Sequence, residues 1–376
     1  MQLKPPHAVN GTGSAVIADD RATDSGIGHR PEGGPVARQT TVLVALSEAE
    51  EADFLPSAMK ARLDAMPVRQ IAIRWNGTDT GLLVAKLREH RPDVLLCAWA
   101  FPPLPADLEI GGPEGLRYVA YLAGSVRKLV PRSLLERGLL VTNWGNTISG
   151  TVAECGLLLT LMAMRRASHW AVAMHRDGGW KDGMRTVTQS LFGRSVGIHG
   201  FGHIAQQMVP LLRPFGGRIS AYSPSVPDTL LAEHGVERSG SLEDLFSGSD
   251  VIIELAAYSP KNHHIVTEEL LRSIRPGGVL VNIGRGAVVD EAALVRVARE
   301  RADDLQVALD VFETGPLPKD SPLRGLPNVA LLPHIAGPTK DRRRDSTALA
   351  LNNLEKFVRG EEIPGLINPE IYDRST

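Results

Sequence analysis

Gly200-Phe201-Gly202-His203-Ile204-Ala205 follows the apolar run that starts at Ser195 and precedes the amphipathic stretch "IAQQMVPLLRPFG". This is G-x-G-x-x-A in a strand, turn, helix setting. The first glycine permits a tight turn, the second lets backbone N–H groups approach a pyrophosphate, and the small third residue lets helix and strand pack closely. Because 37 glycines produce accidental spacings, the flanking strand and helix are what give the motif weight. Further on, Arg285 stands just past "GVLVNI", Asp310 falls in "LQVALDV" with Glu313 beyond it, and His334 follows "VALLP". A guanidinium at such a place can clamp an α-keto carboxylate in bidentate fashion. An imidazole can give or take the proton that accompanies hydride transfer. Singly, Arg285 could be a solvated loop residue, His334 a structural histidine and Asp310 a turn cap. Jointly they sit at successive strand ends downstream of a glycine loop, where open α/β sheets bind ligands.

Dinucleotide folds usually place an acid after the second strand, ~20 residues beyond the glycines, to bind the ribose 2′-hydroxyl. That strand is "RISAY", and the next residue is Ser223, followed by Pro224 and Ser225. With no acid there a 2′-phosphate is not repelled, and no Arg or Lys lies in the loop to attract one. NAD and NADP both stay open.

These residues need a scaffold of alternating strands and helices, and the chain reads that way. "TVLVAL", "IAIRW", "VLLCA", "LRYVAY" and "LLVTN" predict five strands of a first parallel sheet. A long, mostly buried helix is expected over "SGTVAECGLLLTLMAMRRA". A second series, "SVGIHGFG", "RISAY", "DVIIEL", "GVLVNI", "LQVALDV" and "VALLP", gives about six strands, enough for one doubly wound nucleotide-binding sheet. A last helix is expected near 340–359. Residues 1–40 carry Gly, Pro, Asp and Arg without periodicity and are expected to form a mobile tail.

Composition narrows the function classes. The 376 residues are 43% hydrophobic and 22% charged, with 41 basic against 43 acidic side chains. That suits two globular domains and argues against a bulk nucleic-acid binder. No apolar stretch reaches the ~18 residues a membrane span needs, and the N-terminus lacks a signal-peptide pattern, so cytoplasmic location is expected. Cys97 and Cys155 lie in apolar runs and read as buried thiols in a reducing compartment.

The stretches "LFGRSVGIHGFGHIA", "PGGVLVNIGRGAVVDEAAL", "ALDVF" and "LPNVALLPHIAG" together resemble the D-isomer-specific 2-hydroxyacid dehydrogenases, in particular the glyoxylate/hydroxypyruvate reductase-like members, over about residues 41–360. The resemblance implies two doubly wound parallel-sheet α/β domains. A Rossmann NAD(P)-binding domain would span 146–336. A flavodoxin-like substrate domain would be split into 41–145 and 337–376. It implies that Arg285 binds the substrate carboxylate and carbonyl oxygen and that His334 is general acid in reduction and base in oxidation. Gly200, Gly202, His203 and Ile204 would cradle the pyrophosphate, with Ser223 at the ribose. Asp310 would hold the nicotinamide carboxamide, and Ile283 and Gly284 would line the nicotinamide site. "LAGSV" looks like the substrate loop, where amides near Ala123, Gly124 and Ser125 hold the carboxylate. A homodimer, an NAD or NADP cofactor and a small 2-oxo or 2-hydroxy acid substrate complete the expectation, with no metal.

One position departs from the family pattern. Five residues after Asp310, where the family has an acid that orients the histidine, stands Gly315. An imidazole without a carboxylate neighbour holds its proton less tightly, so reduction is expected to be slow or shifted to acidic pH. Glu313 would point the same way if the segment is extended, although the family has an acid there in another role. A dinucleotide-binding sensor or partner-binding protein with little turnover is the alternative that Gly315 favours. Trp99, Tyr121 and Trp144 either line the substrate pocket or pack an interface. Tandem His263-His264 in "SPKNHH" reads as a polar surface loop, since adjacent side chains rarely chelate one ion together.

Overall fold

The computed structural model describes residues 38–75, 80–112, 114–181 and 188–374. The expected tail over 1–40 falls almost wholly outside the described residues. Residues 39–376 form one compact unit built on two parallel sheets.

The first sheet holds β1 (Thr41–Ala45), β2 (Arg69–Ile73), β3 (Val94–Cys97), β4 (Tyr118–Tyr121) and β5 (Leu140–Thr142), in the order β2-β1-β3-β4-β5. All its pairings are parallel, and the order is that of a flavodoxin-like sheet. β1, β3 and β4 are buried on both faces, which explains why they read as continuous apolar runs. Alternate side chains feed two cores. Val42, Val44, Val94, Leu96 and Tyr118 meet α1 (Glu48–Phe54) and α2 (Ser57–Asp64) on one face. Leu43, Leu95, Cys97 and Val119 meet α3 (Thr80–His90) and α4 (Arg132–Glu136) on the other.

The second sheet begins after α5 (Ser149–Arg165) and α6 (Ala167–Arg176). β6 (Val196–His199), α7 (His203–Leu212), β7 (Ile219–Tyr222), α8 (Asp228–Glu233) and β8 (Glu237–Arg238) form one half. α9 (Leu242–Gly248), β9 (Val251–Glu254), α10 (Glu268–Ser273), β10 (Gly278–Asn282), α11 (Glu291–Glu300), β11 (Leu305–Leu309) and β12 (Val329–Leu331) form the other. The order β12-β11-β10-β9-β6-β7-β8 is the doubly wound dinucleotide-binding order with a seventh strand added at one edge. α5 and α7 cover one face, and α9, α10 and α11 cover the other. The chain then returns to the first sheet, where α12 (Arg343–Arg359) packs against β4, α1 and α2 and α13 (Pro369–Arg374) against α4.

The long helix expected over 149–167 is α5; it stops at Arg166, which takes a left-handed conformation (φ 50°) and donates its N–H to Ala163 O before α6 begins. One expectation is corrected: the second sheet also has β8, only two exposed residues, too short to leave an apolar signature.

Candidate active site

The registers of the second sheet line up Leu331, Leu309, Asn282, Glu254, His199 and Tyr222 as one transverse row. Every nucleotide-side residue singled out above leaves the sheet within a few residues of this row, all at the carboxyl ends of the strands. Gly200 and Ser223 follow it by one residue, Ile283 and Asp310 likewise, and Arg285 and His334 by three. The order of connection reverses between β6 and β9, which is where such sheets open a ligand crevice.

Gly200 sits at φ 85°, and a Cβ there would come within 2.7 Å of Ala256 Cα and 2.8 Å of Ala256 N. Only glycine fits. At exposed Gly202, by contrast, a Cβ would meet nothing within 4 Å. Gly202 is the N-cap of α7 and offers no side chain to the first turn. The N–H groups at His203 and Ile204 therefore face open space, with the positive end of the helix dipole behind them. An NAD(P) pyrophosphate fits such a cradle.

Beneath the turn lies a polar pair that sequence reading missed. His199 Nδ1 is 2.5 Å from Glu254 Oε2, and Glu254 Oε1 accepts from Ala256 N at 2.8 Å. Both side chains are buried. The pair ties the exit of β6 to that of β9, the two walls of the crevice. Each residue sits inside an apolar strand, so neither stands out until register brings them together.

At Ser223, the residue expected at the ribose, the side chain is buried. The loop is not without a cation. Arg238 reaches over from β8, its Nη1 3.2 Å from Ser223 O and its Nη2 2.5 Å from Val226 O, and its Nε donates to Asp228. The edge strand thus supplies the cation that the 223–227 segment lacks.

Arg285 is set by its neighbours. Buried Asn282 accepts from Gly284 N at 3.1 Å and donates to Arg285 O at 3.2 Å. Gly284 packs closely: a Cβ would stand a tight 3.1 Å from Glu254 O and from Leu255 Cα. Burial lowers the affinity of the Arg285 guanidinium for its proton, though an arginine stays charged at such sites. Ile283 turns its side chain into the core near Gly156 of α5, so what it offers a ligand is backbone.

His334 is exposed, stands at φ 56°, and its ring has no hydrogen-bond partner among the described residues. Buried Asp310 explains the backbone conformation: its two oxygens accept from Ile335 N at 2.8 Å and Ala336 N at 3.0 Å. It pins the turn that presents the imidazole. Glu313 does not face His334; its Oε1 is 2.9 Å from His264 Nε2. Burial, and then the Asp310 charge, pushes the Cys155 thiol up to about 11, so it is no thiolate nucleophile.

On the first sheet, Ala123 and Gly124 are buried and Ser125 half-buried. Their N–H groups have no acceptor among the described residues. The Trp144 indole lies against Gly124, and the Trp144 backbone N–H donates to Ala123 O at 3.1 Å, while Trp99 meets Trp144 edge-on at 6.0 Å. Tyr121 is buried in the core.

Residues 157–336 match the family model of the D-isomer specific 2-hydroxyacid dehydrogenase NAD binding domain. A glyoxylate reductase of Korarchaeum cryptofilum is 33% identical over 272 residues, 72% of this chain and 81% of that protein. The chain belongs to the D-isomer-specific 2-hydroxyacid dehydrogenases. A glyoxylate reductase of Aeropyrum pernix is 34% identical, with 71% of this chain and 81% of that protein covered. Among solved structures, the NADPH-dependent glyoxylate/hydroxypyruvate reductase of Sinorhizobium meliloti in complex with citrate is similar at a TM-score of 0.67 and 26% identity. That match covers 90% of this chain and all of that one. As a D-2-hydroxyacid dehydrogenase the chain is an NAD(P)-dependent oxidoreductase with the two-sheet architecture of the family.

Proposed function

We propose that this dehydrogenase reduces a small 2-oxo acid of the glyoxylate or hydroxypyruvate type. The observation that carries the reading is the single row of strand ends from which the glycine cradle, Arg285, Asp310 and His334 all depart. Bound nicotinamide would supply the hydride. Arg285 would clamp the carboxylate and carbonyl oxygen, and the unpaired amides at Ala123, Gly124 and Ser125 would take the other carboxylate oxygen. His334 would deliver the proton to the carbonyl oxygen. Asp310 acts as a positioning residue, holding the turn beneath that imidazole. In this reading 146–336 is the nucleotide domain, and 41–145 with 337–376 the substrate domain. The protein works as a homodimer in the cytoplasm. Among the described residues no helix is long and apolar enough to cross a membrane.

Oxidation of NADH and NADPH with glyoxylate, hydroxypyruvate, pyruvate and longer 2-oxo acids tests this. Turnover is expected with the short acids, and His334→Ala should lower kcat roughly 10²–10⁴-fold. No turnover with any acid, together with tight cofactor binding, would instead support the low-turnover sensor that Gly315 and the diverted Glu313 favour.

NADP(H) is the proposed preference. Ser223 presents no carboxylate to a 2′-phosphate, Arg238 stands at that loop, and exposed Asp228 is a partner that a phosphate can displace. Arg238→Gln should weaken NADPH binding by about tenfold or more while leaving NADH little changed. Asp228→Asn should tighten NADPH. Equal effects on both cofactors, measured by fluorescence titration, would refute the assignment.

A further inference from the structure

The tandem His263-His264 has no part in the reaction above, and the structure overturns the reason for setting it aside. In an extended chain two adjacent side chains point to opposite sides. Here His264 stands at φ 52°, in the left-handed region. The fold-back brings the two imidazoles into a stack, with centroids 3.8 Å apart and planes 23° from parallel. A third donor arrives from a distant segment: Glu313, just beyond β11, places Oε1 2.9 Å from His264 Nε2. One ligand atom from each of the three lies within 4.8 Å of the others. We propose that His263, His264 and Glu313 bind one divalent transition-metal ion.

The donor set identifies the class. Two imidazoles and one carboxylate suit Zn²⁺, Cu²⁺ or Ni²⁺ rather than Mg²⁺ or Ca²⁺, which prefer all-oxygen shells. Around a tetrahedral ion with bonds of ~2.1 Å neighbouring donors stand about 3.4 Å apart, so the exposed His263 ring must turn out of its stack on His264 to aim a nitrogen at the ion. The other two donors are held on the backbone side. His264 N donates to Ala287 O at 2.9 Å, Glu313 N donates to Glu291 Oε2 at 2.9 Å, and Asn262 Oδ1 accepts from Ser259 N at 2.6 Å. The left-handed histidine is an unfavourable conformation for a residue with a side chain, and here it is what turns both rings to one side. His264 and Glu313 remain about one-third exposed, so an ion can enter and keep water ligands. Because Gly286 packs against the backbone of Phe312 and Glu313, a bound ion would tether the exits of β9 and β11 across the turn that follows Arg285.

Titration of the full chain with Zn²⁺, followed by calorimetry, tests the site. One equivalent should bind with Kd of about 10 µM or tighter. His263→Ala and Glu313→Gln should each weaken it tenfold or more, and His264→Ala should remove it. NADPH binding, read by fluorescence, should be unchanged in all three, which shows that the variants are folded and keeps this result separate from the proposed reaction. With Cu²⁺, electron paramagnetic resonance should show two coordinated nitrogens, falling to one in His263→Ala. Binding that survives the double variant His263→Ala/Glu313→Gln at full stoichiometry, or disappears in His334→Ala instead, would overturn the proposal. So would the absence of any bound equivalent at ~100 µM Zn²⁺.

Discussion

His334 is presented by a strained backbone and has no carboxylate partner among the described residues, two facts with separate causes. The strain is held by Asp310, whose oxygens fix the two residues after it. The missing neighbour follows from Gly315, with Glu313 engaged at His264. A Cβ at Gly315 would meet nothing within 4 Å, so a longer side chain can be installed without steric cost. Gly315→Glu should raise kcat near neutral pH by roughly tenfold and extend reduction to higher pH, because a nearby negative charge favours the protonated imidazole. Paired pH–rate profiles check this. Superimposable profiles would mean that the new carboxylate does not reach the ring.

Strand β6 depends on β9 at both of its ends. At the far end from the crevice, Asp250 Oδ2 accepts from Ser195 N at 2.9 Å and from Ser195 Oγ at 2.8 Å. Burial pushes the Asp250 carboxyl up, but the Ser195 hydrogen bonds and the nearby Arg194 and Arg275 hold it below its ordinary value. A depressed carboxyl pKa stabilises the fold above the unfolded-state value of ~4, and that contribution disappears as pH falls through the folded-state value. Asp250→Asn should therefore cost about 1–3 kcal/mol at pH 7. Urea unfolding of both proteins at pH 7 and at pH 3 should show the gap closing at the lower pH; a constant gap would argue that the carboxylate charge is irrelevant. This strand also marks how far sequence reading reaches. Buried parallel strands announce themselves as apolar runs, and glycines forced by close approach, such as Gly200, announce themselves by spacing. Arg285, Asp310 and His334 were legible because each follows such a run. His199 with Glu254, Arg238 with Ser223, and His264 with Glu313 were not. Each pair joins residues far apart along the chain, and only the folded arrangement makes them neighbours.

At the level of the molecule, a set of large apolar side chains on α5, α6 and the approach to β6 has no cover among the described residues. Phe192 is 70% and Trp180 59% exposed, with Leu158 and Met174 about half so. Large exposed apolar side chains are what a protein interface covers. The proposed homodimer would bury it, and light scattering should give twice the 40.5 kDa chain mass. The double variant Met174→Glu/Phe192→Glu should shift the population to monomer while keeping the fold. A monomeric wild type would contradict the assembly.

Among the described residues the backbone passes from one sheet to the other twice, between β5 and α5 and again between β12 and α12. If these two crossings act as a hinge, His334 rides on one of them, three residues past Leu331. Any swing that widens the mouth for an incoming acid must also turn this imidazole. Admission of the acid and placement of the proton would then be one mechanical event.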